Sequence, residues 1–110
     1  MDFEYSYKFT ENAENDLDEI IRYIREKLFN PSAAVSFFKK VFESIDNLRK
    51  FPLSGMLVEN EFLPNKDIRK VVIDNYIMYY LAGEAKREII IVRIIYGKRN
   101  LEKIRLEITD

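Results

Sequence analysis

The sequence predicts a single α+β domain with a strand first, then a helical hairpin, then a three-stranded antiparallel meander. Three observations indicate this class. Apolar residues alternate with polar ones over 3–9, they recur at helical spacing over 11–28 and 31–50, and three β-branched runs follow in the second half. The order of elements is therefore β-α-α-β-β-β, and residues 1–110 have the usual length of one domain.

The first predicted strand has one apolar face, because every second residue from Phe3 to Phe9 is aromatic. We expect it at an edge of the sheet. Thr10 follows, and its side-chain oxygen can accept a hydrogen bond from the first turn of a helix. The first helix is predicted from 11 to about 28, and its outward face is charged.

The second helix is predicted to run from Pro31 to about Lys50. Asn30 is a favourable N-cap and proline is tolerated at the first helical position, so the two helices form a hairpin. The apolar stripe of this second helix contains Phe38 and Phe42, and we expect these two rings to dominate its contact with the sheet.

Three further strands are predicted after a surface loop over 51–67, where both helical and strand periodicity are lost. They cover 68–73, 76–82 and 89–96. Their short connections are typical of an antiparallel meander. The last strand is the most apolar, since Arg93 alone interrupts it, and the rest of the chain is expected to pack around it. The spacing of the tail from 100 to 110 fits either a short helix or an extended arm.

These elements predict a four-stranded sheet with the helical hairpin on one face. The opposite face is expected to lack a cover, because the helices cannot reach it and the loop and tail only border it. An exposed apolar face of this kind marks a site for a partner. An added strand, or a helix docked in the groove beside the hairpin, would bind there.

The composition excludes several kinds of chemistry. The chain contains no cysteine and no histidine, which rules out disulfides, thiolate or imidazole metal sites and every Ser/His or Cys/His catalytic arrangement. We predict no metal site and no cofactor, so any acid–base chemistry must use Lys, Arg, Tyr, Asp or Glu. No apolar run approaches the roughly 18 residues of a membrane span, and no export signal precedes the domain, so a cytoplasmic protein is expected.

Charge is unevenly distributed although the net charge is only −1. Residues 1–65 hold 8 basic and 12 acidic side chains, whereas residues 66–110 hold 10 basic and 7 acidic ones. A basic turn directly follows Gly97 at the end of the last strand, which favours an anionic partner in this half of the chain. The candidate contact residues are Arg69, Arg93, Lys98, Arg99 and Arg105.

These basic residues also have purely structural explanations. Arg93 can pair internally with Glu88 or Asp74, since buried arginines are normally paired. Arg69 and Lys70 are neighbours on one strand and point to opposite faces, so at most one of them lines the open face. The basic turn can also simply be solvated.

Four segments of the sequence carry a family resemblance: FTENAENDLDEIIRYI, LRKFPLSG, IRKVVIDNYIMYYL and VRIIYGKRNLEKI. Together they resemble the RelE/ParE superfamily of toxins from type II toxin–antitoxin systems. The resemblance implies a growth inhibitor from a plasmid-stabilisation module, neutralised by a cognate antitoxin that is encoded beside it and forms an oligomer with it. Acidic residues of that antitoxin are expected to meet Arg93, Lys98 and Arg99.

Two activities are known on this fold, and the resemblance leaves both open. RelE-like members cleave mRNA on the ribosome without a metal, whereas ParE-like members inhibit DNA gyrase. The nuclease pattern places catalytic groups at Lys70 and Arg99. It is broken at Ile77, where the nuclease has an arginine, and at Arg105, where it has a tyrosine, with Tyr96 or Tyr79 as a substitute.

The long hairpin and its closing FPLSG segment fit the ParE side better. The prediction is therefore a ParE-like toxin that inhibits gyrase. The alternatives are a RelE-like, ribosome-dependent mRNA endonuclease and a decayed, non-toxic binding module.

Overall fold

The computed structural model describes residues 4–58 and 67–98. Two helices and five strands form in these two ranges. In chain order they are β1 (Ser6–Phe9), α1 (Glu11–Arg22), α2 (Pro31–Lys50), β2 (Met56–Leu57), β3 (Arg69–Ile73), β4 (Tyr76–Gly83) and β5 (Glu88–Tyr96). The predicted α+β class and the order of its main elements are confirmed. No helix in the described ranges is long and apolar enough to cross a membrane.

The strands form one sheet in the order β1-β5-β4-β3-β2. The first strand pairs in parallel with β5 at one edge, as predicted for an edge strand, and the other pairs are antiparallel. β5 therefore lies between β1 and β4. β4 and β5 are the longest strands, of 8 and 9 residues, and their pairing is shifted between Tyr79 and Tyr80 by a β-bulge.

The short strand β2 is a departure from the predicted loop over 51–67. Met56 pairs with Lys70 and Leu57 pairs with Arg69, which extends the sheet from four strands to five. Two residues are too few for an alternation of apolar and polar side chains to be visible, so the pattern gave no signal. The remainder of the predicted loop, 59–66, lies outside the described residues.

Thr10 ties the start of α1 to the centre of the sheet. Its side-chain oxygen accepts a hydrogen bond from the backbone N–H of Ala13 at 3.1 Å, which is the predicted N-cap. The same hydroxyl donates to the backbone carbonyl of Val92 at 2.9 Å, and Thr10 is completely buried. One side chain therefore fixes where the helix begins relative to β5.

The helical hairpin closes through a π-helical segment, Tyr23–Lys27, that continues α1. The next residues reverse the chain, with Phe29 at a φ of 51° in the left-handed region. Asn30 then caps α2, because its side-chain oxygen accepts from the backbone N–H of Ala33 at 3.1 Å. Both predicted caps and the predicted Pro31–Lys50 helix are thus observed.

The helices cover one face of the sheet with a continuous apolar core. Phe37, Val41 and Ile45 of α2 are buried against Met78 and Ile91 of the sheet. The expectation that Phe38 lies in this core is wrong: Phe38 is 48% exposed, and its neighbour Phe37 is 2% exposed. Both residues fit the helical spacing of the apolar stripe. Phe37 is the buried one because its ring packs on Tyr76, at 5.1 Å between centroids.

The opposite face of the sheet is not bare at its centre, contrary to the prediction. Tyr79, Val92 and Ile95 point to this face and are 5%, 0% and 4% exposed. Val58 and Ile68 are also buried and join them in a second apolar cluster. The sheet therefore has apolar packing on both faces.

Tyr80 links the sheet to the segment after α2 by two hydrogen bonds. Its hydroxyl accepts from the backbone N–H of Gly55 at 2.9 Å and donates to the carbonyl of Pro52 at 2.8 Å. A Cβ on Gly55 would lie 2.5 Å from that hydroxyl, so only glycine allows this close approach. Burial raises the pKa of Tyr80, which keeps the hydroxyl able to donate.

We predict that Tyr80→Phe lowers the free energy of unfolding by about 2 kcal/mol, because it leaves two backbone groups without partners. Urea denaturation would measure this loss. Tyr79→Phe is the matched control, since Tyr79 is also buried but bonds neither of these groups, and it should change stability by less than about 0.5 kcal/mol. Equal losses in the two variants would contradict the assigned role of the Tyr80 hydroxyl.

Candidate functional site

A groove of ≈ 670 Å³ lies between the helical hairpin and the end of β5. Its floor is aromatic: Phe37 packs on Tyr76, and Tyr96 meets Tyr76 edge-to-face at 5.8 Å between ring centroids. Tyr23 and Ile24 of the π-helical segment form the opposite wall. The groove is thus mostly apolar and aromatic, as sites that bind another molecule commonly are.

The groove exists because β1 is shorter than β5. β1 pairs only with the first four residues of β5, from Glu88 to Ile91. At Thr10 the chain leaves the sheet and becomes α1, so from Val92 onward no described strand lies beside β5 on the side away from β4. The space that a longer β1 would fill is bordered by α1 instead.

Asp16 of α1 occupies the beginning of this space. Its carboxylate accepts from Arg93 Nε at 2.7 Å and from Arg93 Nη2 at 2.9 Å, a bidentate ion pair. It also accepts from the backbone N–H of Ile94 at 2.9 Å. The two side chains are only 12% and 17% exposed. The hydrogen bond to Asp16 is the largest cause that raises the pKa of Arg93.

This ion pair was missed in the sequence for two reasons. Asp16 belongs to a run of acidic residues at the start of α1 that reads as a solvated face, and it is half-buried instead. The predicted internal partners of Arg93 are Glu88 and Asp74, whereas the structure pairs it with Asp16. The available signal was that Asp16 lies three residues after the buried Ala13 and one before the buried Leu17, at the border of the apolar stripe.

The other predicted contact residues are spread over the molecule. Arg69 donates to the carbonyls of Gly55 at 2.9 Å and Leu53 at 3.3 Å, which holds it against the segment after α2. Lys98 is exposed in the turn after β5. Arg99 and Arg105 lie outside the described residues.

The register of the sheet separates two of the three catalytic candidates. Lys70 pairs with Tyr79, which belongs to the apolar cluster on the face opposite the helices, so Lys70 lies on that face. Tyr96 is three residues beyond Arg93 on the same strand and pairs with Tyr76, which packs on the helical face. Because successive side chains alternate between faces, Lys70 and Tyr96 lie on opposite sides of the sheet.

The tyrosines of the sheet are weak acids in this environment. Burial raises the pKa of Tyr76, and the neighbouring phenols of Tyr23 and Tyr96 raise it further. Burial likewise raises the pKa of Tyr79. These hydroxyls stay protonated near neutral pH and offer apolar surface and hydrogen bonds rather than a base. No group of three or more Asp or Glu suited to a metal ion occurs in residues 4–58 and 67–98.

The fold is similar to that of chains from two solved toxin–antitoxin systems. It is similar to a chain of the chromosomal ParDE system from P. aeruginosa, with a TM-score of 0.67 and 23% identity, over 86% of this chain and 97% of that one. It is also similar to a chain of the RelBE2 toxin–antitoxin complex from Mycobacterium tuberculosis, with a TM-score of 0.60 and 18% identity, over 84% and 98% of the two chains.

The amino-acid sequence shows which family the chain belongs to. Residues 7–101 match the ParE toxin of the type II toxin–antitoxin system, parDE. The chain therefore belongs to the ParE toxin family, which confirms the resemblance drawn from its four segments. No curated protein matches the sequence significantly.

We predict that Asp16→Asn destabilises the protein by about 3 kcal/mol, because it removes the carboxylate partner of a part-buried arginine. Thermal or urea unfolding would measure the change. Asp18→Asn, on the exposed side of the same helix, should cost less than about 0.5 kcal/mol. If Asp16→Asn were as mild as Asp18→Asn, the ion pair would not be what holds α1 to β5.

Proposed function

We propose that this ParE-family protein arrests growth by binding DNA gyrase, and that a cognate antitoxin neutralises it. Family membership supports a toxin, and the two similar solved structures come from toxin–antitoxin systems. The preference for gyrase over mRNA rests on the geometry of the candidate catalytic residues.

The observation that carries the preference is the position of Lys70 relative to Tyr96. A nuclease of this kind needs a base, an acid and cations around one phosphate. Lys70 lies on β3, level with Arg93 of β5 and about 10 Å from it across the sheet. Tyr96 lies on β5 three residues beyond Arg93, about another 10 Å along the strand. The two side chains also point to opposite faces, which disfavours contact with one phosphate. The other candidate tyrosine, Tyr79, pairs with Lys70 but is only 5% exposed, which disfavours contact with a substrate.

The cations of the described strands support the same preference. Arg93 is held by Asp16, and Arg69 is held by two backbone carbonyls. Ile77 stands beside Tyr76 where the nuclease pattern requires an arginine. A gyrase inhibitor needs a protein-binding surface instead, and the aromatic groove and the exposed Lys98 after β5 offer surfaces of that kind.

The RelE-like mRNA endonuclease is the second candidate. Its support is that Lys70 and Arg99 stand at the positions the nuclease pattern requires. The fold likeness to a RelBE2 chain is compatible with either activity.

Controlled expression should arrest growth, induce the SOS response and accumulate cleaved gyrase–DNA complexes, while translated mRNA stays intact. RNA mapping and a supercoiling assay, run side by side on the same cultures, would measure both activities. Lys70→Ala should keep full toxicity, since it removes only the candidate nuclease lysine. Codon-phased mRNA cuts that disappear in Lys70→Ala would establish the endonuclease instead, and a chain without any effect on growth would be a decayed binding module.

We predict that Lys98→Ala combined with Arg99→Ala relieves growth arrest, because these cations form the basic turn that directly follows β5. Colony counts after induction would measure the effect, expected to be a recovery of at least about tenfold, the consequence of losing two interface charges. Lys39→Ala combined with Lys50→Ala removes the same charge at two exposed positions of α2 that form no salt bridge within the described residues, and this variant should stay toxic. Full toxicity of the Lys98/Arg99 variant, at unchanged expression and folding, would exclude the basic turn as the active surface.

A further inference from the structure

Phe29 lies at the end of the hairpin tip, the segment 22–29 that leads from α1 toward α2. Its side chain is 87% exposed, more than any other large apolar side chain in the described ranges. Its φ of 51° lies in the left-handed region, where the Cβ of any residue except glycine is crowded by the backbone. Helices commonly place glycine directly after their last turn. The chain therefore keeps an aromatic side chain where glycine is the less strained residue.

The contacts around Phe29 give no structural reason for an aromatic residue at this position. The N–H of Leu28 donates to the carbonyl of Tyr23 at 3.2 Å, and the N–H of Asn30 donates to that of Ile24 at 3.2 Å. Both hydrogen bonds use backbone groups that glycine at position 29 would leave in place. In the described part of the chain the Phe29 ring makes no aromatic or cation–π contact. A strained, exposed ring of this kind is a candidate contact for another molecule.

The hairpin tip is basic, although the first half of the sequence is acidic. Its three basic residues and one acidic residue give it a net charge of +2. Arg22 and Arg25 approach Glu26 at 3.9 and 3.7 Å, and their side chains are 64% and 54% exposed. Lys27 is exposed and forms no salt bridge within the described residues. Arginine beside an exposed aromatic ring is typical of binding hot spots, and these cations fit an acidic partner surface.

The hairpin tip and the basic turn after β5 border the same groove. Leu28, next to Phe29, lines the groove on one side, and Tyr96, two residues before Lys98, lines it on the other. Phe29 does not line the groove, so its ring is exposed outside it. A standard protein interface, about 800 Å² per partner, extends across a groove of this size. One partner can therefore contact both basic segments at once.

From these observations we infer that the Phe29 ring binds in an apolar pocket of DNA gyrase, and that Arg25 and Lys27 pair with carboxylates around that pocket. The hairpin tip and the basic turn then contact gyrase from the two sides of the groove. The inference rests on the proposed function, since it names a surface with which the toxin contacts gyrase. The strain at position 29 is retained because the ring that causes it makes this contact.

The variant Phe29→Gly separates the role of the ring in binding from its effect on folding. It should unfold at a temperature about 4 °C above that of the wild type, because glycine relieves the left-handed strain. It should nevertheless inhibit gyrase supercoiling at least about tenfold less well, as expected when an interface hot spot is lost. Phe29→Tyr keeps the ring and should inhibit within about twofold of the wild type. A folded Phe29→Gly protein that inhibits as well as the wild type overturns the inference.

Phe51→Ala is the matched control for the loss of an exposed ring. Phe51 is 60% exposed at the opposite end of α2, so its removal should change inhibition by less than about twofold. Phe29→Asn is a second test of the tip, since asparagine tolerates the left-handed region and has no apolar ring. It should lose inhibition as Phe29→Gly does. Equal losses in Phe51→Ala and Phe29→Asn overturn the inference.

Charge reversal tests the acidic surroundings of the gyrase pocket. Arg25→Glu combined with Lys27→Glu should raise the toxin concentration for half-inhibition at least about tenfold at low salt, and the difference from the wild type should shrink as salt is added. Lys39→Glu combined with Lys50→Glu makes the same charge change at exposed positions of α2 and should raise it less than about threefold. Equal shifts in the two variants overturn the inference.

A photo-cross-linking amino acid at position 29 then identifies what the hairpin tip contacts. Cross-links to a gyrase subunit support the inference. Cross-links to the antitoxin or to a second toxin copy, with none to gyrase, overturn it. A wild-type toxin that leaves gyrase fully active overturns the proposed function itself, whereas gyrase inhibition that survives Phe29→Gly overturns this inference alone.

Discussion

The contact between Asp16 and the β5 edge is the interaction on which the arrangement of helices and sheet depends. β5 is the longest strand of the sheet, yet its parallel partner β1 ends after four paired residues. A strand edge inside a folded domain needs partners for its backbone groups. Asp16 supplies one for Ile94, and its bidentate bond with Arg93 fixes α1 at the same place. The Asp16 carboxylate thus provides one of the hydrogen bonds that a longer β1 would provide to β5.

The groove forms because α1, and not a longer β1, lies beside the second half of β5. Asp16 satisfies one N–H of the β5 edge and leaves the following positions, up to Tyr96, bordered by side chains of α1 and the π-helical segment. Side chains on a helix cannot interdigitate with a strand edge as closely as a second strand can, so space remains between them. The groove is therefore a consequence of how the chain crosses from β1 to α1, and Thr10 sets that crossing point by capping α1 and bonding Val92.

The parts of the fold that the sequence predicted are those determined by local chemistry. Thr10 and Asn30 cap their helices through interactions within three residues, and the periodicity of α1, α2 and β5 repeats often enough to be read. The parts it could not predict depend on distant residues. Phe37 and Phe38 fit the helical stripe equally well, and only the position of Tyr76 buries Phe37. β2 is defined by its pairing with β3, since two residues have no periodicity of their own.

The candidate site follows the same division. The second half of the sequence is basic, but charge alone could not show that Arg93 is neutralised by Asp16, 77 positions earlier. The groove beside this ion pair is lined by carboxylates, aromatic rings and the β5 edge. Backbone groups are present in every sequence, and only the register of the sheet and the length of β1 determine which of them lack partners. A groove built from an interrupted strand pairing is therefore visible in the three-dimensional structure and has no motif in the sequence.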